Sequence, residues 1–252
     1  VEDVCYQLYT SGTTGLPKGV ELTHRNLMAA MDIGAIEWAI DPSSVVMVAM
    51  PLFHIAGSGW ALAGFTQGSE MVLVYDIDPA EVLRLIETYG VTNSLFVPAV
   101  LQVLSAFPGV EKTDLSSFRR IVYGASPISE EVLVRSMRVF ACEFAQVYGL
   151  TETTGAITCL APEDHEPDGP RAGLLRSAGR PWGDVAVRIV NAETGKDLPE
   201  GEVGEIWCAS AQIMKGYWSN PEATEEVYTE GRDADGIGFF RTGDAGYMHE
   251  GF

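Results

Sequence analysis

Positive charge is scarce in this sequence: 16 lysines and arginines stand against 35 aspartates and glutamates, a formal net charge of −19. A surface this anionic repels phosphate backbones, so nucleic acid is not an expected partner. It also constrains any nucleotide site. Attraction for a polyphosphate has to be local, from oriented backbone N–H groups, one or two cations and a metal ion. Cysteine is scarce too. Cys5, Cys142, Cys159 and Cys208 are scattered with no C-x-x-C pair. That excludes a disulfide scaffold and reads as apolar residues in a reducing compartment, with the cytoplasm as the expected location. His24, His54, His165 and His249 are equally dispersed, so no zinc-type cluster is expected.

Unbroken apolar runs of membrane length are lacking as well. Residues 45–65 carry no Asp, Glu, Lys or Arg, yet Pro51, His54 and Gly57-Ser58-Gly59 divide them. A buried strand, a loop and a core helix are expected there, and no transmembrane segment. Internal repeats and low-complexity tracts are absent, which excludes a solenoid. What remains is a chain of 252 residues, 46% hydrophobic, enough for a sizeable core. It opens at Val1 without a methionine and stops at Gly251-Phe252, and is expected to be cut from a longer protein.

The hydrophobic pattern predicts an α/β fold. Residues 45–50 and 71–75 are apolar runs of strand length, 93–97 and 144–148 are strand-like, and 120–123 reads as a short buried strand. Between them lie helical patterns over 79–89, where Pro79 suits a first turn and Val82, Leu85, Ile86 and Tyr89 share a face, and over 98–107. A third helix, capped by Ser129, is expected to run to about residue 140. This alternation implies βαβ units, a mostly parallel sheet with flanking helices, and ligands beyond the carboxyl ends of the strands. That places 124–127 and 148–152 on the binding edge. From Arg180 onward, alternating strands over 185–190 and 204–209 with turn-rich connections predict a smaller β-rich subdomain. The expected division is therefore 1–175, an α/β part, and 176–252.

The segment Tyr9-Thr10-Ser11-Gly12-Thr13-Thr14-Gly15-Leu16-Pro17-Lys18-Gly19 carries the strongest chemical signal. Small hydroxyl residues and glycines let backbone N–H groups turn onto an anion, and Lys18 adds a fixed positive charge. It follows a strand-like 5–9 and precedes a helix that Thr23 can cap. It is not a Walker A loop, because Gly19 follows Lys18 and the four-residue gap between glycines is missing. Tyr148-Gly149-Leu150-Thr151-Glu152-Thr153-Thr154 supplies a flat ring, a hydroxyl and a carboxylate suited to a base, a phosphate and a hard cation. Alone, Glu152 would read as a solvated helix-start residue. Gly124-Ala125-Ser126-Pro127 reads equally as a strand-to-helix turn. It misses a nucleophile elbow because Ile128 stands where Gly-x-Ser-x-Gly needs glycine.

Taken in order, these segments resemble the adenylate-forming superfamily of acyl-CoA synthetases, luciferases and peptide-synthetase adenylation domains. The first segment matches at all eleven positions, and the resemblance covers essentially the whole chain. It implies that Thr10, Ser11, Gly12, Thr13, Thr14, Gly15 and Lys18 bind the phosphates of ATP. Gly124, Ala125, Ser126 and Pro127 would edge the adenine. Val147, Tyr148 and Gly149 would line the nucleotide site, with the Tyr148 ring on the base. Thr151 would contact the α-phosphate and Glu152 would hold Mg²⁺, so Lys18, Thr151 and Glu152 are the expected catalytic residues. Arg241-Thr242-Gly243-Asp244 resembles a third signature, in which Asp244 accepts from both ribose hydroxyls.

Pro51-Leu52-Phe53-His54 resembles the opening of an acyl pocket, which makes His54 the acyl-binding candidate; a satisfied core histidine is the plainer reading. No acid stands between Pro51 and Ser69, so an amino acid substrate is disfavoured and a fatty acid favoured. The implied activity is activation of a carboxylic acid by ATP to an acyl-adenylate, then thioester formation with coenzyme A. An acyl-AMP ligase, aryl-CoA ligase or luciferase-like oxygenase is the alternative within the superfamily. A non-catalytic nucleotide-binding module and an α/β hydrolase are the alternatives outside it. The resemblance also implies a C-terminal lid with a catalytic lysine beyond this chain, so the fragment alone is expected to be weak or inactive. Gly183-Asp184 departs from the proline and glycine often found there. Chain length of the acid and oligomeric state are not legible.

Overall fold

A computed structural model describes residues 1–10 and 16–252. Along the chain come β1 (Val4–Thr10), β2 (Lys18–Thr23), α1 (His24–Glu37), β3 (Val45–Val48), α2 (Ile55–Thr66), β4 (Glu70–Leu73) and α3 (Pro79–Tyr89). Then follow β5 (Asn93–Phe96), α4 (Pro98–Ser105), β6 (Arg120–Gly124), α5 (Glu130–Phe140), β7 (Glu143–Leu150) and β8 (Gly155–Leu160). The remainder is β9 (Arg180–Pro181), β10 (Ala186–Val190), β11 (Gly204–Ala209), β12 (Gly216–Tyr217), α6 (Pro221–Val227) and β13 (Phe240–Gly246).

These elements cluster into two compact units. One gathers residues 1–30, 149–158 and 180–252; the other holds 31–148 and 159–179. The expected cut near residue 175 falls inside the second unit. Residues 1–30 group with the C-terminal residues because β12 pairs antiparallel with β2 in a sheet of order β1-β2-β12.

In the unit of 31–148, the strands β4-β3-β5-β6-β7 pair in parallel, as the alternating pattern predicts. Val46, Met47, Phe96, Ile121 and Val122 have no exposed surface, and each buried side chain of this size stabilises the fold by roughly 1.5–3 kcal/mol. The helices are bounded by local chemistry. Asp78 caps α3 by accepting the Glu81 N–H at 2.9 Å, Pro79 opens its first turn, and Gly90, at φ 60°, ends it. Its buried face is Val82, Leu83 and Ile86; Tyr89, expected on that face, is 50% exposed at the last residue. Ser129 caps α5, accepting from Val132 at 3.3 Å. The uncharged stretch 45–65 divides into β3, a loop and α2, whose Trp60 is buried and donates to the Met47 carbonyl at 3.0 Å. Among the described residues no helix is long and apolar enough to cross a membrane.

The unit of 1–30, 149–158 and 180–252 holds two antiparallel sheets, β1-β2-β12 and β10-β11-β13. β2 is a strand the sequence reading did not assign. Val20 and Leu22 point inward with no exposed surface, a period-two signal too short to stand out between Lys18 and Thr23. Thr23 then caps α1 as expected: its Oγ1 accepts the Asn26 N–H at 3.2 Å, and Asn26 Oδ1 accepts the Thr23 N–H at 2.9 Å.

Candidate active site

In the first unit, β1 ends at Thr10 and β2 begins at Lys18, and these two residues face each other across the antiparallel pair. The hairpin connection holds Ser11, Gly12, Thr13, Thr14 and Gly15, which lie outside the described residues. The second signature occupies a turn rather than a helix start. β7 ends at Leu150, β8 starts at Gly155, and Thr154 takes φ 55° between them. Gly149 is obligatory on the approach to this turn, since a Cβ there would lie 1.8 Å from the Gly155 carbonyl oxygen.

Glu152 is 8% exposed, so the reading as a solvated helix-start residue does not hold. Its Oε1 accepts the Tyr217 hydroxyl at 3.0 Å and, more weakly, the Thr10 hydroxyl at 3.4 Å. Lys18 Nζ lies 4.9 Å from the centroid of the Tyr217 ring, within cation–π range. Lys18 and Glu152, from two signatures far apart in sequence, thus meet at one tyrosine, and Thr10 reaches the same carboxylate oxygen. Burial first, then the Glu152 charge and its hydrogen bond, push the Tyr217 phenol well above its ordinary value, so it remains a neutral donor. Thr151 sits half-buried in the same turn.

Three residues that the sequence reading missed build this cluster. Tyr217 itself is set by β12, where it faces Val20 of β2. Asn26 donates to the carbonyls of Ala211 and Ile213 at 2.8 and 2.7 Å, fastening the approach to β12. Gln212, with no exposed surface, donates to the carbonyls of Thr153 and Ala156 at 2.7 Å each and accepts from Trp182 at 3.1 Å. The Met214 N–H closes the turn by donating to the Glu152 carbonyl at 2.8 Å.

Asp244 is exposed on β13. Its N–H donates to Thr242 at 3.1 Å, and Thr242 donates to the Ile206 carbonyl at 2.7 Å. Beside it, Arg241 grips Glu205 through two nitrogens at 2.9 and 3.1 Å, while Glu205 Oε1 accepts the Gly243 N–H at 3.2 Å. Burial raises the Glu205 carboxyl, but hydrogen bonds from Arg241 and Trp207 outweigh it and hold the group below the usual range.

In the second unit, Gly124 ends β6 opposite Val147 of β7. A Cβ at Gly124 would lie 2.1 Å from the Val147 carbonyl oxygen, so only glycine fits. Ala125 follows at φ 63°, and Ala125, Ser126 and Pro127 are exposed past the carboxyl end of the strand. Val147 and Tyr148 are half-buried near the end of β7. His54 precedes α2 and is exposed with its ring 4.6 Å from that of Phe53; it is not a core histidine.

Other chemistries fare worse. Among the described residues no hydrogen bond joins Ser126 to a histidine, and His165 is engaged by Tyr123 and the Ala161 carbonyl, so the hydrolase geometry fails. Burial pushes the thiols of Cys142, Cys159 and Cys208 up to about 12, leaving them inert. Among the described residues no three His, Cys, Asp or Glu side chains gather to form a metal cage. Mg²⁺ fits this site differently, because it is commonly held by one or two carboxylates together with phosphate oxygens. Glu152 offers such a carboxylate, whose hydroxyl donors among the described residues both fall on Oε1.

Comparison with known proteins gives a consistent result. The model of the AMP-binding enzyme family matches residues 1–218. The chain is 40% identical over 250 residues to the fatty acid–[acyl-carrier-protein] ligase ScoC of Streptomyces coeruleorubidus, covering 97% of this chain and 46% of that protein. It is 37% identical over 223 residues to the medium/long-chain-fatty-acid–CoA ligase FadD8 of Mycobacterium tuberculosis, covering 88% and 38%. The ATP-bound crystal structure of MatB from Rhodopseudomonas palustris superposes with a TM-score of 0.84 at 29% identity, covering 99% of this chain and 46% of that one. The chain spans less than half the length of the curated relatives it matches.

Proposed function

Because this chain belongs to the AMP-binding enzyme family, we propose that the protein containing it activates a carboxylic acid with ATP, forming an acyl-adenylate, and passes the acyl group to coenzyme A. The observation that carries this reading is the meeting of Lys18 and Glu152 at Tyr217, with the Thr10 hydroxyl reaching the same Glu152 oxygen. It puts a hydroxyl, an ammonium and a carboxylate at the end of the hydroxyl- and glycine-rich turn, inside a chain of net charge −19.

The first half-reaction must bring two anions together. The substrate carboxylate attacks the α-phosphorus, the bond to the β-phosphate oxygen breaks, and pyrophosphate leaves. Lys18 offsets charge on the polyphosphate, and the hydroxyls of Thr10 and Thr151 donate to phosphate oxygens. Donors of this kind, fixed in place beforehand, are each worth about 3 kcal/mol of transition-state stabilisation. Mg²⁺ held by Glu152 would neutralise further charge on the leaving group. Asp244 is the proposed acceptor for the ribose hydroxyls, and Gly124 to Pro127 with Tyr148 are the proposed contacts of the base. In the second half-reaction the thiol attacks the mixed anhydride and AMP leaves.

The absence of any acid from Pro51 to Ser69 favours an apolar acid over an amino acid, and the similarity to two fatty-acid ligases supports a fatty one. The name of ScoC favours one second reading, in which the accepting thiol belongs to a carrier protein. ATP–pyrophosphate exchange by the full-length protein, across aliphatic and aromatic acids, tests the first step. Exchange stimulated by a fatty acid and lost in Lys18→Ala and Glu152→Ala is expected. A folded full-length protein with no exchange for any acid would leave only a nucleotide-binding module. Acceptor assays with coenzyme A and with a carrier protein then separate the two thiols.

A further inference from the structure

Among the described residues, Tyr217 touches both charged members of the cluster. It is 7% exposed, its hydroxyl lies 3.0 Å from Glu152 Oε1, and its ring lies 4.9 Å from Lys18 Nζ. None of the ion pairs among the described residues joins Lys18 to Glu152, although both sit at the same tyrosine. An ammonium and a largely buried carboxylate this close would gain from pairing. The pairing would remove both from the polyphosphate. The phenol contacts both groups. Its ring gives the ammonium a favourable apolar face, and its hydroxyl satisfies one carboxylate oxygen with a neutral donor.

Building on the adenylation reading, we infer that Tyr217 is a positioning residue that keeps Lys18 and Glu152 apart and pins Glu152 Oε1, so that Oε2 is presented to the metal and Lys18 to the phosphates. The placement is built into the fold. Tyr217 is fixed by the β12–β2 pairing opposite Val20, and the Trp218 N–H donates to the Gly19 carbonyl at 2.7 Å, one residue beyond Lys18. Backbone pairing therefore sets the tyrosine against the strand that carries Lys18, and the Met214 N–H, donating to the Glu152 carbonyl at 2.8 Å, ties the turn of Glu152 to the residues just before β12.

The two halves of the tyrosine are separable. Tyr217→Phe keeps the ring under Lys18 and removes the donor to Glu152. Tyr217→Leu removes both. Calorimetric binding of ATP to the full-length protein, first in EDTA and then across a Mg²⁺ series, reads each half without turnover. In EDTA, Tyr217→Phe is expected to bind ATP like the wild type, while Tyr217→Leu binds about tenfold more weakly because Lys18 can collapse onto Glu152. With Mg²⁺, the wild type gains affinity and Tyr217→Phe loses most of that gain, its half-saturating Mg²⁺ rising about tenfold.

Glu152→Gln keeps the hydrogen bond but not the charge. It must lose the Mg²⁺-dependent gain as well, which keeps the test open if a tyrosine variant fails to fold. A Tyr217→Phe protein with an undiminished Mg²⁺ gain, or a Glu152→Gln protein that keeps the gain, overturns the inference. If the wild type performs pyrophosphate exchange in either case, the adenylation reading survives alone; if the wild type neither exchanges nor binds ATP, both fall together.

Discussion

The hydroxyl of Tyr123 lies 3.0 Å from Nε2 of His165, with both side chains buried. Nδ1 of the same ring is 2.8 Å from the Ala161 carbonyl oxygen. A carbonyl only accepts, so Nδ1 carries the proton and Nε2 accepts from the phenol. Burial lowers the His165 pKa below 6.5, despite the Ala161 bond and the nearby Asp164 and Glu163, which act the other way. The sign follows directly. Below 6.5 the unfolded ring takes up a proton that the folded ring refuses, so this histidine's contribution to stability is complete above 6.5 and is lost as pH falls toward the folded pKa. One proton sets an upper slope of about 1.4 kcal/mol per pH unit. Urea unfolding of His165→Gln across this window should show a shallower loss than the wild type; parallel curves would contradict the assignment.

Gln212 makes a second testable case. It has no exposed surface and it satisfies the carbonyls of Thr153 and Ala156 and the indole N–H of Trp182 together. Gln212→Leu roughly conserves volume and removes all three hydrogen bonds. The expected loss is about 2–4 kcal/mol, because each intramolecular hydrogen bond contributes about 0.5–1.5 kcal/mol. The turn it clamps carries Thr151 and Glu152, so exchange activity should fall further than the loss of folded protein explains. Unfolding midpoints and exchange rates at matched folded fraction measure the two effects.

These two residues also show where the sequence stopped being legible. The helices α3 and α5 could be read because their signals are local: Pro79 opens one, Ser129 caps the other, and apolar residues recur at helical spacing. The parallel order of strands followed from the alternation of elements. Thr10, Lys18 and Glu152 stand out because their segments carry chemistry-bearing residues in a recognisable order. Tyr217 and Gln212 carry no such mark. Their partners, Glu152 and Thr153, lie 65 and 59 positions away, and tertiary bonds such as that from the Met214 N–H to the Glu152 carbonyl hold them there. The pairing of β12 with β2 gathers residues 1–30 with 180–252, a grouping that no linear division of the sequence can express.

Gly124 gives a steric prediction. A methyl group added there would sit 2.1 Å from the Val147 carbonyl oxygen and 3.0 Å from its side chain. The clash is with backbone of the neighbouring strand, so no rotamer change relieves it. Gly124→Ala must push β6 from β7 at their carboxyl ends, where Ala125 to Pro127 and Tyr148 lie. The expected cost is about 1–3 kcal/mol, as for other overpacked cores, with ATP affinity reduced in the protein that remains folded. Thermal unfolding and ATP titration of this variant check both parts. A stable protein with unchanged affinity would show that the strand ends tolerate the shift.

Arg241 tests how the turn bearing Asp244 is held. Its guanidinium places two nitrogens 2.9 and 3.1 Å from Glu205 Oε2, and the other Glu205 oxygen accepts the Gly243 N–H at 3.2 Å. Arginine, carboxylate and backbone form one continuous chain ending next to Asp244. Lysine keeps the charge but offers a single point where the fork offered two parallel bonds. In Arg241→Lys, Glu205 keeps the Trp207 indole bond at 3.0 Å but loses the fork, which loosens the acceptor of the Gly243 N–H and the turn that carries Asp244, the proposed ribose acceptor. The effect should fall on binding more than on chemistry: the ATP KM of the exchange reaction rises about five- to tenfold while kcat changes little. A fall in kcat at constant KM would assign this ion pair to the reacting centre instead. A lower unfolding midpoint with both constants intact would assign it to the stability of the β10-β11-β13 sheet.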